Sequence, residues 1–200
     1  MLGAWTRGIA RLIGLLAAAW VVLLPSTSSA SDAQLEPWKV ATVPRLTLLG
    51  LDGAMVDLTA ERGTLVIVHF FATWCEPCRD ELSSLERLSA IYPARSLRIL
   101  AIDVGEPGDR VRRFLERNEI TVRYPILIDL DKQAMRAWQV EILPTSYVLD
   151  SSLCPLWKAA GALAWDLDPT RSMLDAEISA PERPPFRSSE ESCLVKGGTQ

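Results

Sequence analysis

The chain has 200 residues, 48% of them hydrophobic, which is enough for one domain with a sizeable core and appendages. Its formal charge of −4 argues against nucleic acid as a partner. A zinc site is also disfavoured, because beyond the close pair Cys75 and Cys78 only Cys154, Cys193 and the single histidine, His69, could serve as soft ligands, with no second closely spaced pair.

The first segment reads as an export signal. Arg7 and Arg11 precede an apolar run from Leu12 to Leu24, followed by Pro25 and the small residues Ser26 to Ala30. This run is shorter than the about 20 residues a spanning helix needs, but its flanks bring it near the lower limit. A leader cleaved near Ala30 and an uncleaved membrane anchor both stay open, and either places the folded part in the periplasm or another extracytoplasmic space. Loss of residues 1–30 removes two arginines and no acids, moving the formal charge to −6. Residues 31–43 read as a polar linker carrying Trp38, and the domain, 44–180, is expected to start near Pro44.

Within that domain, Leu46 to Leu49 and Ala54 to Leu58 flank Leu51-Asp52-Gly53 and predict a hairpin with a glycine turn. Leu65 to Phe71 is a β-branched and aromatic run too apolar to alternate, as suits a central strand covered on both faces. After the turn Ala72-Thr73-Trp74, the residues Leu82, Leu85, Leu88 and Ile91 recur at helical spacing until Pro93. Cys75 is thereby placed at a helix N-terminus. Unpaired amides and the positive dipole end favour a thiolate there, by roughly 0.3 to 1 kcal/mol at an exposed site, and thiolate is the form that attacks a disulfide. Pro77 fits the first helical turn and stiffens the link between the two sulfurs.

Further along, Leu97 to Asp103 predicts a second buried strand, Asp109 to Asn118 an amphipathic helix with Val111, Phe114 and Leu115 inward, and Tyr124 to Ile128 a third strand. Lys132 to Trp138 reads as a helix, Ser146 to Leu149 as a strand, Leu153 to Ala160 as its hairpin return and Pro169 to Ile178 as a last helix. The order βαβαβαββα predicts an α/β fold, a central mixed sheet flanked by helices on both faces. Residues 181–200 have the composition of a flexible tail.

The combination of Val68-His-Phe-Phe-Ala-Thr-Trp-Cys-Glu-Pro-Cys-Arg-Asp-Glu81 with Ile142-Leu-Pro-Thr-Ser-Tyr-Val-Leu-Asp150 resembles the TlpA/ResA-like branch of the thioredoxin superfamily, from about Pro44 to Ile178. The 69 residues from Cys75 to Pro144 exceed the interval in a plain thioredoxin by roughly one αβ insertion. The resemblance implies an enzyme, a thiol-disulfide oxidoreductase without a cofactor. It would act on client proteins that carry disulfides, often in cytochrome c maturation or metal-centre assembly, and draw electrons from a membrane thiol donor. A monomer is expected. It further implies a cis Pro144, with the backbone of Leu143 pairing with the bound partner and Trp74, Pro77 and Thr145 beside it.

In that scheme Cys75 attacks a partner disulfide and Cys78 resolves the mixed disulfide. Two residues compete to take the Cys78 proton. Glu81 matches a glutamate of ResA-like proteins and returns by helical spacing to the face of Cys78, although it also fits a solvated helix acid. His69 lies six residues before Cys75, where an imidazole titrates near neutrality, although a lone histidine in an apolar strand is more often a hydrogen-bonded core residue. Ser83 stands where relatives usually carry a kinking proline, predicting a straighter helix. Cys154 and Cys193 suggest a second disulfide. Two rival functions remain. A thiol peroxidase of the peroxiredoxin type would want Thr three residues before its cysteine, where this chain has Ala72 before Cys75. A copper metallochaperone would want a downstream histidine, and His69 is upstream.

Overall fold

The computed structural model describes residues 33–180. In chain order these form strands β1 (Glu36–Pro37), β2 (Thr47–Gly50) and β3 (Met55–Asp57), a 3-10 turn at Leu58–Glu61, then β4 (Leu65–Phe71), helix α1 (Glu76–Ile91), β5 (Leu97–Val104), α2 (Gly108–Arg117), β6 (Ile126–Asp129), α3 (Gln133–Ala137), β7 (Thr145–Leu149), β8 (Pro155–Ala160) and α4 (Thr170–Ile178). From β4 onward this is the order expected from the sequence. The export segment and the tail lie outside the described residues. Among the described residues no helix is long and apolar enough to cross a membrane.

The strands make one sheet in the order β1-β8-β7-β4-β5-β6-β2-β3. Strands β4, β5 and β6 are parallel, and the other pairings are antiparallel. Every residue of β4 is buried, which explains why its sequence does not alternate. Leu65, Ile67 and Phe71 enter one core with Leu82, Leu85 and Leu88 of α1, Val111 and Phe114 of α2, and Leu174 of α4. Val66, Val68 and Phe70 enter the other with Leu58, Ala134 and Trp138. Since successive side chains of a strand face opposite sides, His69 falls on the α1 face with Ile67 and Phe71. That placement decides its chemistry.

The β2–β3 turn closes through the Gly50 amide on Ala54 O at 2.8 Å, and Gly53 adopts φ +86° there, where a side chain would be strained. Helix α1 runs unbroken for 16 residues through Ser83. Strand β6 starts at Ile126 rather than Tyr124, because Pro125 has no amide to pair.

The strip read as a linker is instead built into the sheet. Glu36 and Pro37 pair antiparallel with Lys158 and Trp157 of β8, and the Ala33 and Trp38 amides donate to Ala162 O at 2.9 Å and Leu156 O at 3.0 Å. Trp38 packs on Trp138 and Tyr147 with ring centroids 5.7 and 4.5 Å away. The physical reason is that pairing with an open sheet edge needs only backbone groups and one apolar anchor, so a polar composition does not preclude it.

Candidate active site

Strand β4 delivers the chain to the turn Ala72-Thr73-Trp74, and the Cys75 amide donates back to Ala72 O at 3.1 Å. Cys75 is the N-cap of α1, with Glu76 and Pro77 in its first turn. Cys75 and Cys78 form a disulfide with Cα atoms 5.4 Å apart. Cys75 is 6% exposed and Cys78 fully buried, so Cys75 is the more accessible residue of the two. Trp74 stands out into solvent, 66% exposed. In the β4–β7 register Phe70 faces Thr145, which brings the Leu143–Pro144 bond beside the end of β4. That peptide bond is cis. Leu143 is half-buried and Ile142 exposed. Thr145 is buried, and its hydroxyl donates to Ile142 O at 2.8 Å, which braces the loop before β7.

Glu81 is buried, at 2% exposure, which removes the reading of a solvated helix acid. Its Oε1 accepts from Trp165 Nε1 at 2.6 Å and from the Ser146 hydroxyl at 3.3 Å, and its Oε2 from the Leu163 amide at 3.3 Å. Burial pushes its carboxyl up to about 7, and these three donors hold it from rising further. His69 completes the group, with Nδ1 2.9 Å from Ser146 Oγ and 3.6 Å from Glu81 Oε1. Because Ser146 donates to Glu81, the ring proton belongs on Nδ1, and Nε2 is buried without a partner among the described residues. Full burial lowers the imidazole to about 3, so it is neutral at physiological pH and its contact with Glu81 is dipolar, not an ion pair.

A second carboxylate holds the turn before Cys75. Glu106 Oε2 accepts the Thr73 amide at 2.6 Å, while Oε1 accepts the Thr73 hydroxyl at 2.8 Å and pairs with Arg110 Nε at 2.6 Å. Beneath it, Asp103 at the end of β5 is fully buried, and neither of its oxygens makes a hydrogen bond of normal geometry among the described residues. Burial first, and the nearby Glu106 second, push Asp103 up to about 8. Both effects favour its protonated form. Among the described residues no cluster of histidine, cysteine and acids is arranged to hold a metal ion. Cys154 opens the return to β8, its amide donating to Asp150 Oδ1 at 2.8 Å, and Cys193 lies outside the described residues.

Sequence reasoning missed Ser146, Trp165, Glu106 and Asp103. The one available signal was chemical: a tryptophan N–H buried in a core must find an acceptor, and a buried acid must find a donor or a proton.

Compared with known proteins, residues 41–153 match the profile of the AhpC/TSA family. The thiol-disulfide oxidoreductase ResA of Geobacillus thermodenitrificans is 38% identical over 112 residues, 56% of this chain and 63% of that protein. ResA of Bacillus subtilis is 29% identical over 107 residues, 54% of this chain and 59% of the relative. The chain thus spans about three fifths of the length of the curated relatives it matches. Among solved structures, a thiol:disulfide interchange protein of the thioredoxin family from Chlorobium tepidum superposes with a TM-score of 0.59 at 24% identity, covering 74% of this chain and all of that one. StoA from Bacillus subtilis does so at 0.55 and 19%, covering 68% and 98%. At these identities the superpositions speak for the fold, which is thioredoxin-like. With that fold, a cystine at the start of α1 and a family profile matching more than half of its length, the chain belongs to the AhpC/TSA family.

Proposed function

We propose that the chain is an extracytoplasmic thiol-disulfide oxidoreductase that reduces disulfides of client proteins through Cys75 and Cys78. The observation that carries this reading is the Cys75–Cys78 disulfide at the first turn of α1, with the buried carboxyl of Glu81 one helical turn beyond Cys78. In the reduced enzyme the Cys75 thiolate attacks one sulfur of the client disulfide, forming a mixed disulfide and releasing one client thiolate, which takes a proton. Cys78 passes its proton to Glu81 and attacks Cys75 Sγ, which releases the second client thiolate and leaves the enzyme oxidised. The client gains two electrons and the enzyme loses two. A thiol donor at the membrane returns them.

Glu81 is favoured over His69 as proton acceptor by their environments: the carboxyl is poised near neutrality and the imidazole is held neutral. The exposed Trp74 and Ile142, with Pro77 and the backbone of Leu143 beside Pro144, offer an apolar flank to a client chain. The export pattern of residues 1–30 supports the location, whether as a cleaved leader or as an anchor. The likeness to proteins named thiol-disulfide oxidoreductase ResA supports thiol-disulfide exchange, and clients of the cytochrome c maturation or metal-centre assembly type are part of the proposal.

A thiol peroxidase is the rival reading, so the assay sets both substrates side by side. Reduced enzyme mixed with a disulfide-bearing protein is expected to become oxidised while two thiols appear in the substrate, and to consume hydrogen peroxide no faster than a free dithiol does. Rapid peroxide turnover, with no thiols appearing in the protein substrate, would overturn the reading.

A further inference from the structure

The closest donor to the Glu81 carboxyl is a group for which thiol exchange itself has no use. Trp165 is fully buried, and its indole N–H lies 2.6 Å from Glu81 Oε1. It sits in the chain between β8 and α4, and that segment is fastened to the same face of α1 that carries Glu81. The Trp165 amide donates to Ser84 Oγ at 2.8 Å, and the Ser84 hydroxyl donates to Asp166 Oδ1 at 2.6 Å. Arg87 grips Asp166 through Nε at 2.6 Å and Nη2 at 3.1 Å. Glu81, Ser84 and Arg87 follow one another at steps of three along the helix, so a single face of α1 both presents the carboxyl and anchors the segment that restrains it.

We propose that Trp165 is the positioning residue of Glu81, its indole N–H holding the carboxyl in one orientation and favouring the anionic form that accepts the Cys78 proton, with Ser84, Asp166 and Arg87 clamping the segment to α1. The inference rests on Glu81 being that acceptor. A buried carboxylate is stabilised by the donors that reach it, and donation to an ionised acceptor is roughly twice as strong as between neutral groups. The other groups facing Glu81 are weaker or silent. The Ser146 hydroxyl and the Leu163 amide are each 3.3 Å away, and His69 is neutral at 3.6 Å. The Tyr124 hydroxyl is bonded to Leu82 O at 2.8 Å. Arg87 and Asp166 neutralise each other; Arg87 first, by hydrogen bonding, holds the Asp166 carboxyl down at about 2. A cleft of about 300 Å³ lined by Pro77, Asp80, Glu81, Arg87, Leu163 and Asp166 gives the accepted proton a way to solvent, past the exposed Asp80.

The test is the pH dependence of reduction of the oxidised full-length protein by dithiothreitol, for wild type, Trp165→Phe and Glu81→Gln. Loss of a donor to a carboxylate raises its proton affinity, so Trp165→Phe is expected to move the inflection near pH 7 upward by about one unit, and Glu81→Gln to abolish it. An inflection abolished by Glu81→Gln but unmoved by Trp165→Phe overturns the role of Trp165 alone. A profile that Glu81→Gln leaves intact overturns the assignment of Glu81, and this proposal with it. Should Trp165→Phe fail to fold, the wild type supplies the answer. The indole 15N–1H resonance of Trp165 is expected to titrate with the midpoint of the Glu81 carboxyl carbon and to lose that titration in Glu81→Gln. An indole signal that stays flat through the Glu81 titration overturns the proposal.

Discussion

Replacing Glu81 by Gln is expected to slow release of the reduced client by about 100-fold or more, the usual contribution of a positioned general base, while leaving capture of the client by Cys75 nearly unchanged. A carboxyl at 2% exposure is pushed up to about 7 by desolvation, and Trp165, the Leu163 amide and Ser146 keep it from rising further. A value raised towards neutrality suits a group that must first accept a proton and later give it up. Gln keeps the shape and an acceptor oxygen for Trp165 but takes no proton. The same substitution changes stability in a set direction. Because the folded value exceeds the ordinary carboxyl value of 4.5, ionising Glu81 costs folding free energy as pH rises from about 4.5 through about 7. Glu81→Gln is therefore expected to match the wild type near pH 4 and to exceed it at pH 8, by at most about 3 kcal/mol. Single-turnover release measured from pH 5 to 9, with urea melts over the same range, checks both halves. Unchanged release and parallel stability curves would remove Glu81 from the chemistry.

Asp103→Asn is expected to stabilise the protein at alkaline pH and to do little in acid. Asp103 is fully enclosed at the end of β5 beside Glu106, so burial and then that second carboxylate push it up from 3.8 to about 8. Below about pH 4 the group is protonated in both states and costs nothing, between about 4 and 8 the unfolded chain releases its proton more readily, and above about 8 the full penalty has been incurred. The shift caps that penalty at about 6 kcal/mol, and relaxation of the site lowers it, so a gain of about 2 kcal/mol at pH 9 is the expected size. For a domain of this length that is a rise of about 5 °C in Tm. Asn conserves the volume and carries no charge towards Glu106, which holds the Thr73 turn leading into Cys75. Thermal melts of the two proteins from pH 5 to 9 are expected to diverge up to about pH 8 and to keep that separation above it. Curves that stay parallel would show that Asp103 is already ionised, or has access to water, in the folded state.

The parts of the fold that were legible in the sequence are those written by local pattern. An unbroken apolar run reads as β4 because both of its faces are covered, and Leu82, Leu85 and Leu88 read as α1 because one face of a helix is covered. The cysteine pair was legible for the same reason, since strand, turn and helix start are adjacent in the chain. What stayed hidden depends on residues far apart in sequence. Ser146 reaches Glu81 across 65 positions and Trp165 across 84, and no local period encodes such meetings. Strand β1 was missed because its contribution is backbone pairing on the edge of β8, which composition does not report. The turn of the Thr145 hydroxyl to Ile142 O was not legible either, because sequence cannot tell which way a hydroxyl points. His69 and Glu81 were inseparable on spacing alone; their common burial separates them, because desolvation favours the neutral form of each and so drives a base down and an acid up.

The most direct test of the account is a Cys78→Ser variant of the full chain, reduced and incubated with a mixture of disulfide-bearing proteins. Without the resolving thiol the exchange must stop halfway. The expected result is a ladder of mixed disulfides on a non-reducing gel, dissolved by dithiothreitol, with mass spectrometry locating every bond at Cys75. Absence of adducts from Cys78→Ser, or an equal yield of adducts from Cys75→Ser, would contradict the assignment of Cys75 as nucleophile and with it the exchange mechanism.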